Sequence, residues 1–265
     1  MNWIYLLLLI VLSLAGFYVG WRYVGPMTSR WWIVIALACL GITIMFSVFR
    51  FYPALEYHLI PSFIGNFVEI VRWSPFVTLF FGIAAKKVTR KFLPIELAIL
   101  ALLFFTYAIM RVNWIYQGNR INQNKFQISE EGVCVQSTGY TCAPACAVTL
   151  LKHFGIATTE KEMADLSHTG PGGTETTPQV RAIAQKAKEK GLKVDIITTD
   201  WDGLKQLRTP FIVDVKWAPM IDHVLVVFKI KEDSVSVGDP LSGRISDWNK
   251  ERFLNSWRGS AIIIK

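Results

Sequence analysis

Three of the chain's four cysteines fall in one stretch, CVQSTGYTCAPACAVTLLKHFG, from Cys134 to Gly155. Three chemistries are open to it: a nucleophilic thiol, a disulfide, or a thiol-redox pair at CAPAC. A thiol attacks well when ionised, and a helix N-terminus or a nearby imidazolium favours that form. Cys142 stands where a helix should begin, after the loop STGYT, with Pro144 in the first turn, where a missing N–H costs nothing. Cys134 precedes that helix and Cys146 lies one turn inside it, so neither gains as much from the dipole.

A thiol hydrolase also needs a base, a group to orient the base and a donor for the oxyanion. The chain has four histidines. His58 lies in an apolar half, His153 ends the same helix too far along its axis, and His168 sits in a glycine-rich loop that spacing does not exclude. His223 opens a strand pattern, IDHVLVVFKI, whose backbone would hold the imidazole still, and Asp239 ends the next one, in VGDP. Two adjacent antiparallel strands would present these side by side. Gln136, six residues before Cys142, can bring its side-chain NH₂ near the nucleophile. Singly, each has an ordinary explanation: a core thiol, a strand histidine, a turn aspartate, a loop amide. In this order they form a constellation.

The pattern Q-x5-C-A-P-A followed by H-x15-D-P resembles the C39 family of papain-like cysteine peptidases, known for cutting double-glycine leaders from exported peptides. The resemblance spans about 132–265 and includes the GGTETT passage. It implies Cys142 as nucleophile, His223 as general base and acid, Asp239 as its orienter and Gln136 in the oxyanion hole. It further implies a peptide or protein substrate with small-residue, Gly-Gly-like sites, an export-system partner, and no cofactor or metal. Thr141 and Ala143 depart from the Asp and Gly that the family commonly has around the cysteine. No G-x4-G-K-[ST] loop accompanies the motifs, so the expectation is a stand-alone peptidase. Two other functions compete. One is a thiol–disulfide oxidoreductase using Cys142 and Cys146, although the spacing is C-x3-C and the apolar half offers only Cys39. The other is a peptide-binding accessory domain without catalysis.

The elements that must position these residues are legible downstream of the apolar half. A short strand at 133–135 precedes a helix at 143–154 that Gly155 stops. A second helix at 159–166 has a threonine cap with Glu162 downstream, and a third, TTPQVRAIAQKAKEKG, carries Pro178 in its first turn. Strand patterns follow in LKVDIIT, PFIVDVKW, HVLVVFKI, DSVSVGD and SAIIIK. Helices first and an antiparallel sheet after them give an α+β layout. The lysine-rich face of the third helix is a solvated surface, with no nucleic-acid partner implied, and Gly172-Gly173 reads as a flexible loop.

The rest of the chain belongs to a membrane. Of 265 residues, 52% are hydrophobic, and the apolar excess is confined to 1–116. That half carries nine basic against three acidic residues, a balance of +6 out of the chain's +8. A crossing helix needs about 20 apolar residues, and four stretches qualify: 3–18, 31–48, 67–85 and 95–110. The first has no basic n-region and reads as an uncleaved span. Basic loops stay cytoplasmic, and Arg22, Arg30 and KKVTRK from Lys86 to Lys91 would share that side. The expected division is a transmembrane domain at 1–116, a linker at 117–131 and a peptidase domain at 132–265 outside the cytoplasm, in a bacterial cell or inner membrane. There, thiols tend to pair, which makes Cys134–Cys146 a candidate disulfide bracing the nucleophile loop.

Overall fold

The computed structural model describes residues 2–49, 52–61, 65, 74–87, 93–117, 121, 125–219 and 221–265. They divide into two compact units, one formed by 1–52 and 60–116, the other by 53–59 together with 117–265.

The first unit is helical: α1 (Asn2–Val19, running on into a π turn, Gly20–Val24), α2 (Trp31–Phe49), α4 (Ser74–Lys87) and α5 (Leu93–Gln117), with α3 (Pro53–Leu59) belonging to the second unit. Glycines let α1 and α4 touch backbone to backbone. A Cβ on Gly20 would meet the Leu79 carbonyl at 2.2 Å, and one on Gly82 would meet that of Phe17 at 2.2 Å. Gly16 faces Pro75, Gly20 faces Leu79 and Gly25 faces Lys86, so the two helices run parallel. Lys86 lies over the Trp21 ring at 5.6 Å, and Lys87 lies over Trp32 at 4.9 Å while donating to the Met27 carbonyl at 2.7 Å. The Lys86–Lys87 end of α4 thus gathers with Trp21 and Trp32 at one end of the unit. Its outer faces are greasy: Leu37 is 61% and Leu102 63% exposed, which water does not sustain over whole helices.

Two segments among the described residues, Leu7–Val24 and Trp31–Val48, are long and apolar enough to cross a membrane. This corrects the expectation of four. The third stretch, 67–85, falls partly on 67–73, outside the described residues, and α4 has 14 residues. The apolar run in α5, Ile95–Phe104, is shorter than a crossing.

In the second unit a small hairpin, β1 (Gln127–Ile128) and β2 (Cys134–Val135), leads into α6 (Cys142–His153), α7 (Glu160–Leu166) and α8 (Thr176–Ala187). The expected linker at 117–131 is therefore structured at its end. A six-stranded antiparallel sheet follows, in the order β3 (Val194–Thr198), β8 (Trp257–Ile264), β4 (Phe211–Ala218), β5 (Ile221–Ile230), β6 (Ser234–Asp239) and β7 (Arg244–Asn249). Alternate residues face opposite ways. Ile196, Ile212, Val224, Val226 and Ile262 join α6 and α8 in one core, whereas Phe211, Val213, Leu225, Val227 and Ile263 pack in another with Trp201 of α9 (Trp201–Lys205) and Phe253 of α10 (Lys250–Ser256). The sheet is buried on both faces, and its strands can hold functional groups rigidly.

Candidate functional site

Cys142 is the first residue of α6. The helix begins there because Thr141 leaves helical geometry and Pro144 fits its first turn. Thr141 does not cap it. Its hydroxyl turns back, donating to the Thr138 carbonyl at 3.2 Å and accepting from the Thr138 N–H at 3.2 Å. The loop is pinned twice more: the Ser137 N–H donates to the buried Glu160 carboxylate at 2.8 Å, and the Gln136 N–H donates to the Pro240 carbonyl at 2.9 Å. The last of these ties the approach to Cys142 to the turn after Asp239.

His223 and Asp239 lie on the neighbouring strands β5 and β6. Their side chains meet at 2.7 Å, Nε2 to Oδ1. His223 is 7% exposed. Burial alone would lower its pKa, but hydrogen bonds to Asp239 and to Cys142 outweigh it and raise the imidazole to about 9. With Nε2 occupied by Asp239, Nδ1 is the ring nitrogen left for a second partner. Burial works against the Asp239 carboxylate as well, yet the bonds from His223 and from the Leu241 N–H hold it below its ordinary value. Gln136 stands beside the loop with its amide donating to the Thr138 carbonyl at 2.8 Å. An amide NH₂ has two hydrogens, so one remains. The structure thus brings Cys142, His223 and Asp239 into one hydrogen-bonded row and sets Gln136 six residues upstream in the same pinned loop.

The other two cysteines fare differently. Strand and helix do approach, since the Cys134 N–H donates to the Thr149 hydroxyl of α6 at 2.9 Å. All four cysteines are nevertheless free thiols, so the Cys134–Cys146 disulfide is not formed. Each thiol is absorbed in the core instead: Cys146 is fully buried and donates to the Val224 carbonyl at 3.2 Å. Burial pushes Cys134 up to about 12 and Cys146 well above the thiol range. A buried, protonated Cys146 also deprives a Cys142/Cys146 redox pair of its second thiolate. His153 ends α6, a helix away from Cys142, and His58 sits 3.3 Å from Asp195. No group of three or more His, Cys, Asp or Glu among the described residues could hold a metal.

Three residues of the site had escaped notice. Trp217, 55% exposed, lies where the β4–β5 register slips between Lys216 and Ala218, with its ring 5.0 Å from the imidazole. A bulge re-aims a side chain, and no sequence pattern announces one. Glu160 holds the nucleophile loop although it reads as a plain first-turn acid. Gln179 of α8 donates to the Ala143 carbonyl at 3.0 Å, anchoring the first turn of α6.

A family model described as Peptidase C39 matches residues 130–265. An uncharacterised protein of Methanothermobacter thermautotrophicus is 30% identical over 139 residues, which cover 52% of this chain and 91% of that protein. The pediocin PA-1 transport/processing ATP-binding protein PedD of Pediococcus acidilactici is 29% identical over 126 residues, 46% of this chain and 17% of that longer protein. Among solved structures, the peptidase domain of Streptococcus ComA, a bi-functional ABC transporter involved in quorum sensing, is similar at 29% identity and a TM-score of 0.46, covering 51% of this chain and 98% of that one. With more than half its length under the family model, the chain belongs to the Peptidase C39 family and carries a cysteine peptidase domain.

Proposed function

We propose that the protein is a membrane-anchored peptidase in which Cys142 attacks the scissile carbonyl, His223 moves the protons and Asp239 orients His223. The row from Cys142 through His223 to Asp239, closed by the 2.7 Å bond, is the observation that carries the reading. An imidazolium held to about pH 9 is the counter-ion that a thiolate needs. Attack forms the Sγ–C bond and an oxyanion. In this scheme the Cys142 N–H, one of the four that an α-helix leaves without an internal acceptor, and the second N–H of Gln136 receive it. His223 then protonates the leaving amine, and the C–N bond breaks to give a thioester. Water, deprotonated by His223, attacks the thioester and releases the acid and the thiol.

The substrate class is read from kinship: a relative described as a transport/processing protein for pediocin PA-1 suggests precursor peptides, and the motif resemblance to double-glycine leader peptidases adds small-residue sites of the Gly-Gly kind. The unit of 1–116 is read as crossing the membrane through α1 and α2. The gathered Trp21, Lys86 and Lys87 end is then cytoplasmic, and the peptidase lies on the opposite side. A mass-spectrometric assay of the detergent-solubilised full chain with a Gly-Gly-containing leader peptide tests the reading. Cleavage after the second glycine, abolished by Cys142→Ser, is expected. An intact peptide with wild-type protein overturns the substrate class, and cleavage that survives Cys142→Ser overturns the nucleophile.

A further inference from the structure

The residues Pro53–Leu59 read as a loop between two apolar segments, yet α3 belongs to the peptidase unit. Its Ala54 and Tyr57 join the apolar core that α6 and α8 build. The Tyr57 hydroxyl donates to the Val194 carbonyl at the start of β3, at 3.2 Å. Burial, with Asp195 close by, raises the phenol against the opposing effect of Arg181, so it remains a donor. His58 Nε2 lies 3.3 Å from one Asp195 oxygen, and Lys265 Nζ lies 2.8 Å from the other. Glu56 of the same short helix is 3% exposed. A carboxylate leaves water only in a settled packing arrangement.

Within this unit α3 packs on both β3 and α8, and α8 is the helix that also reaches the nucleophile. At its N-terminal end the Thr176 hydroxyl donates to Asp214 of β4 at 2.9 Å, and one turn on, Gln179 donates to the Ala143 carbonyl, the residue after Cys142. Twelve residues of helix make α8 a stiff rod of about 18 Å. Burial raises the Asp214 carboxyl to about 6 despite the bond from Thr176, so the sheet end of the rod is fixed by a group that a change of packing would perturb.

We propose that α3 is a clip by which the chain's apolar half positions the nucleophile: α3 seats α8, and α8 holds the first turn of α6 at Ala143. Tyr57 and Gln179 are positioning residues in this scheme. The proposal rests on Cys142 being the nucleophile. It makes the segment that leaves α2 a working part of the peptidase, because that segment completes the peptidase core. It also requires the 51–62 loop and the peptidase to lie on one side of the membrane.

Hydrogen–deuterium exchange on the full chain in detergent micelles, paired with the iodoacetamide alkylation rate of Cys142, tests the clip. Tyr57→Ala should speed exchange in 53–59, in α8 and in the first turn of α6, leave β4–β6 protected, and slow alkylation roughly three- to tenfold. Tyr57→Phe, which keeps the ring and loses the hydroxyl, should give the same pattern at reduced size. Exchange that speeds up in 53–59 alone with alkylation unchanged overturns the proposal, as does a 53–59 segment already unprotected in the wild type. If Tyr57→Ala unfolds the sheet, Tyr57→Phe decides: an ordered response along α3, α8 and α6 supports the clip, and no response sinks it. A wild-type Cys142 no more reactive than Cys134 would remove the peptidase reading instead, while the exchange pattern still judges the clip.

Discussion

At the residue scale the site is an exercise in keeping one imidazole charged. Two hydrogen bonds beat burial and lift His223 from 6.5 to about 9. Peptidase activity should therefore persist through neutral pH and fall on the alkaline side as His223 loses its proton near pH 9. Asp239→Asn removes the charged partner, and its alkaline limb should move down by about one to two pH units, read from kcat/KM against pH. The same shift bears on stability. Because the folded-state value lies above the ordinary one, the contribution is fully present below pH 6.5 and is lost as pH rises through about 9. Thermal melts of His223→Ala should lack that alkaline loss. Gln136→Ala should lower kcat by about a hundredfold with little change in KM, as loss of an oxyanion donor does. Cys142, His223, Asp239 and Gln136 were candidates on type, order and spacing, and the structure pairs His223 with Asp239. Trp217, Glu160 and Gln179 were not, because a bulge, a buried carboxylate and a cross-helix amide bond depend on contacts that only the folded chain makes.

At the element scale, strong periodicity was readable and weak periodicity was not. The apolar strands β3, β4, β5 and β8 and the helices α6 to α8 carry clear patterns. Thr159 caps α7 by accepting from the Glu162 N–H at 3.1 Å, the arrangement that its spacing predicts. Thr159→Ala should cost about 1 kcal/mol in urea melts of the full chain. By contrast β7, RISDWN, is an edge strand with Trp248 as its buried residue, so its sequence looks like a loop. The helix α9 has five residues and depends on Asp200 accepting from the Gly203 N–H. The two-residue partner of β2 lies inside an apparent linker. Such short or polar elements are fixed by their neighbours rather than by propensity. Cys134 and Cys146, the expected disulfide pair, are free thiols in the structure. Strand and helix do approach, but both thiols are buried in the core, where each is a small apolar group.

For the whole molecule, composition separates a greasy half from an ordinary globular one, and the structure refines the division by handing Pro53–Leu59 to the peptidase unit. Burial pattern could not reveal this, since seven residues carry little periodicity. The backbone contacts at Gly16, Gly20 and Gly82 make the helical unit intolerant of bulk: Gly20→Leu should separate α1 from α4 and lower the melting temperature in detergent. The proposed sidedness rests on the basic end. A cysteine introduced at Ser242, in the turn after Asp239, should react with a membrane-impermeant maleimide in intact cells, and one introduced at Lys87 should react only after permeabilisation. The reverse pattern would place the peptidase in the cytoplasm. The central claim, however, is chemical, and labelling of the full chain with a thiol-directed peptide electrophile addresses it most directly. Cys142→Ala is predicted to abolish labelling, and His223→Ala to slow it greatly. Labelling that survives Cys142→Ala and disappears with Cys146→Ala would contradict the account.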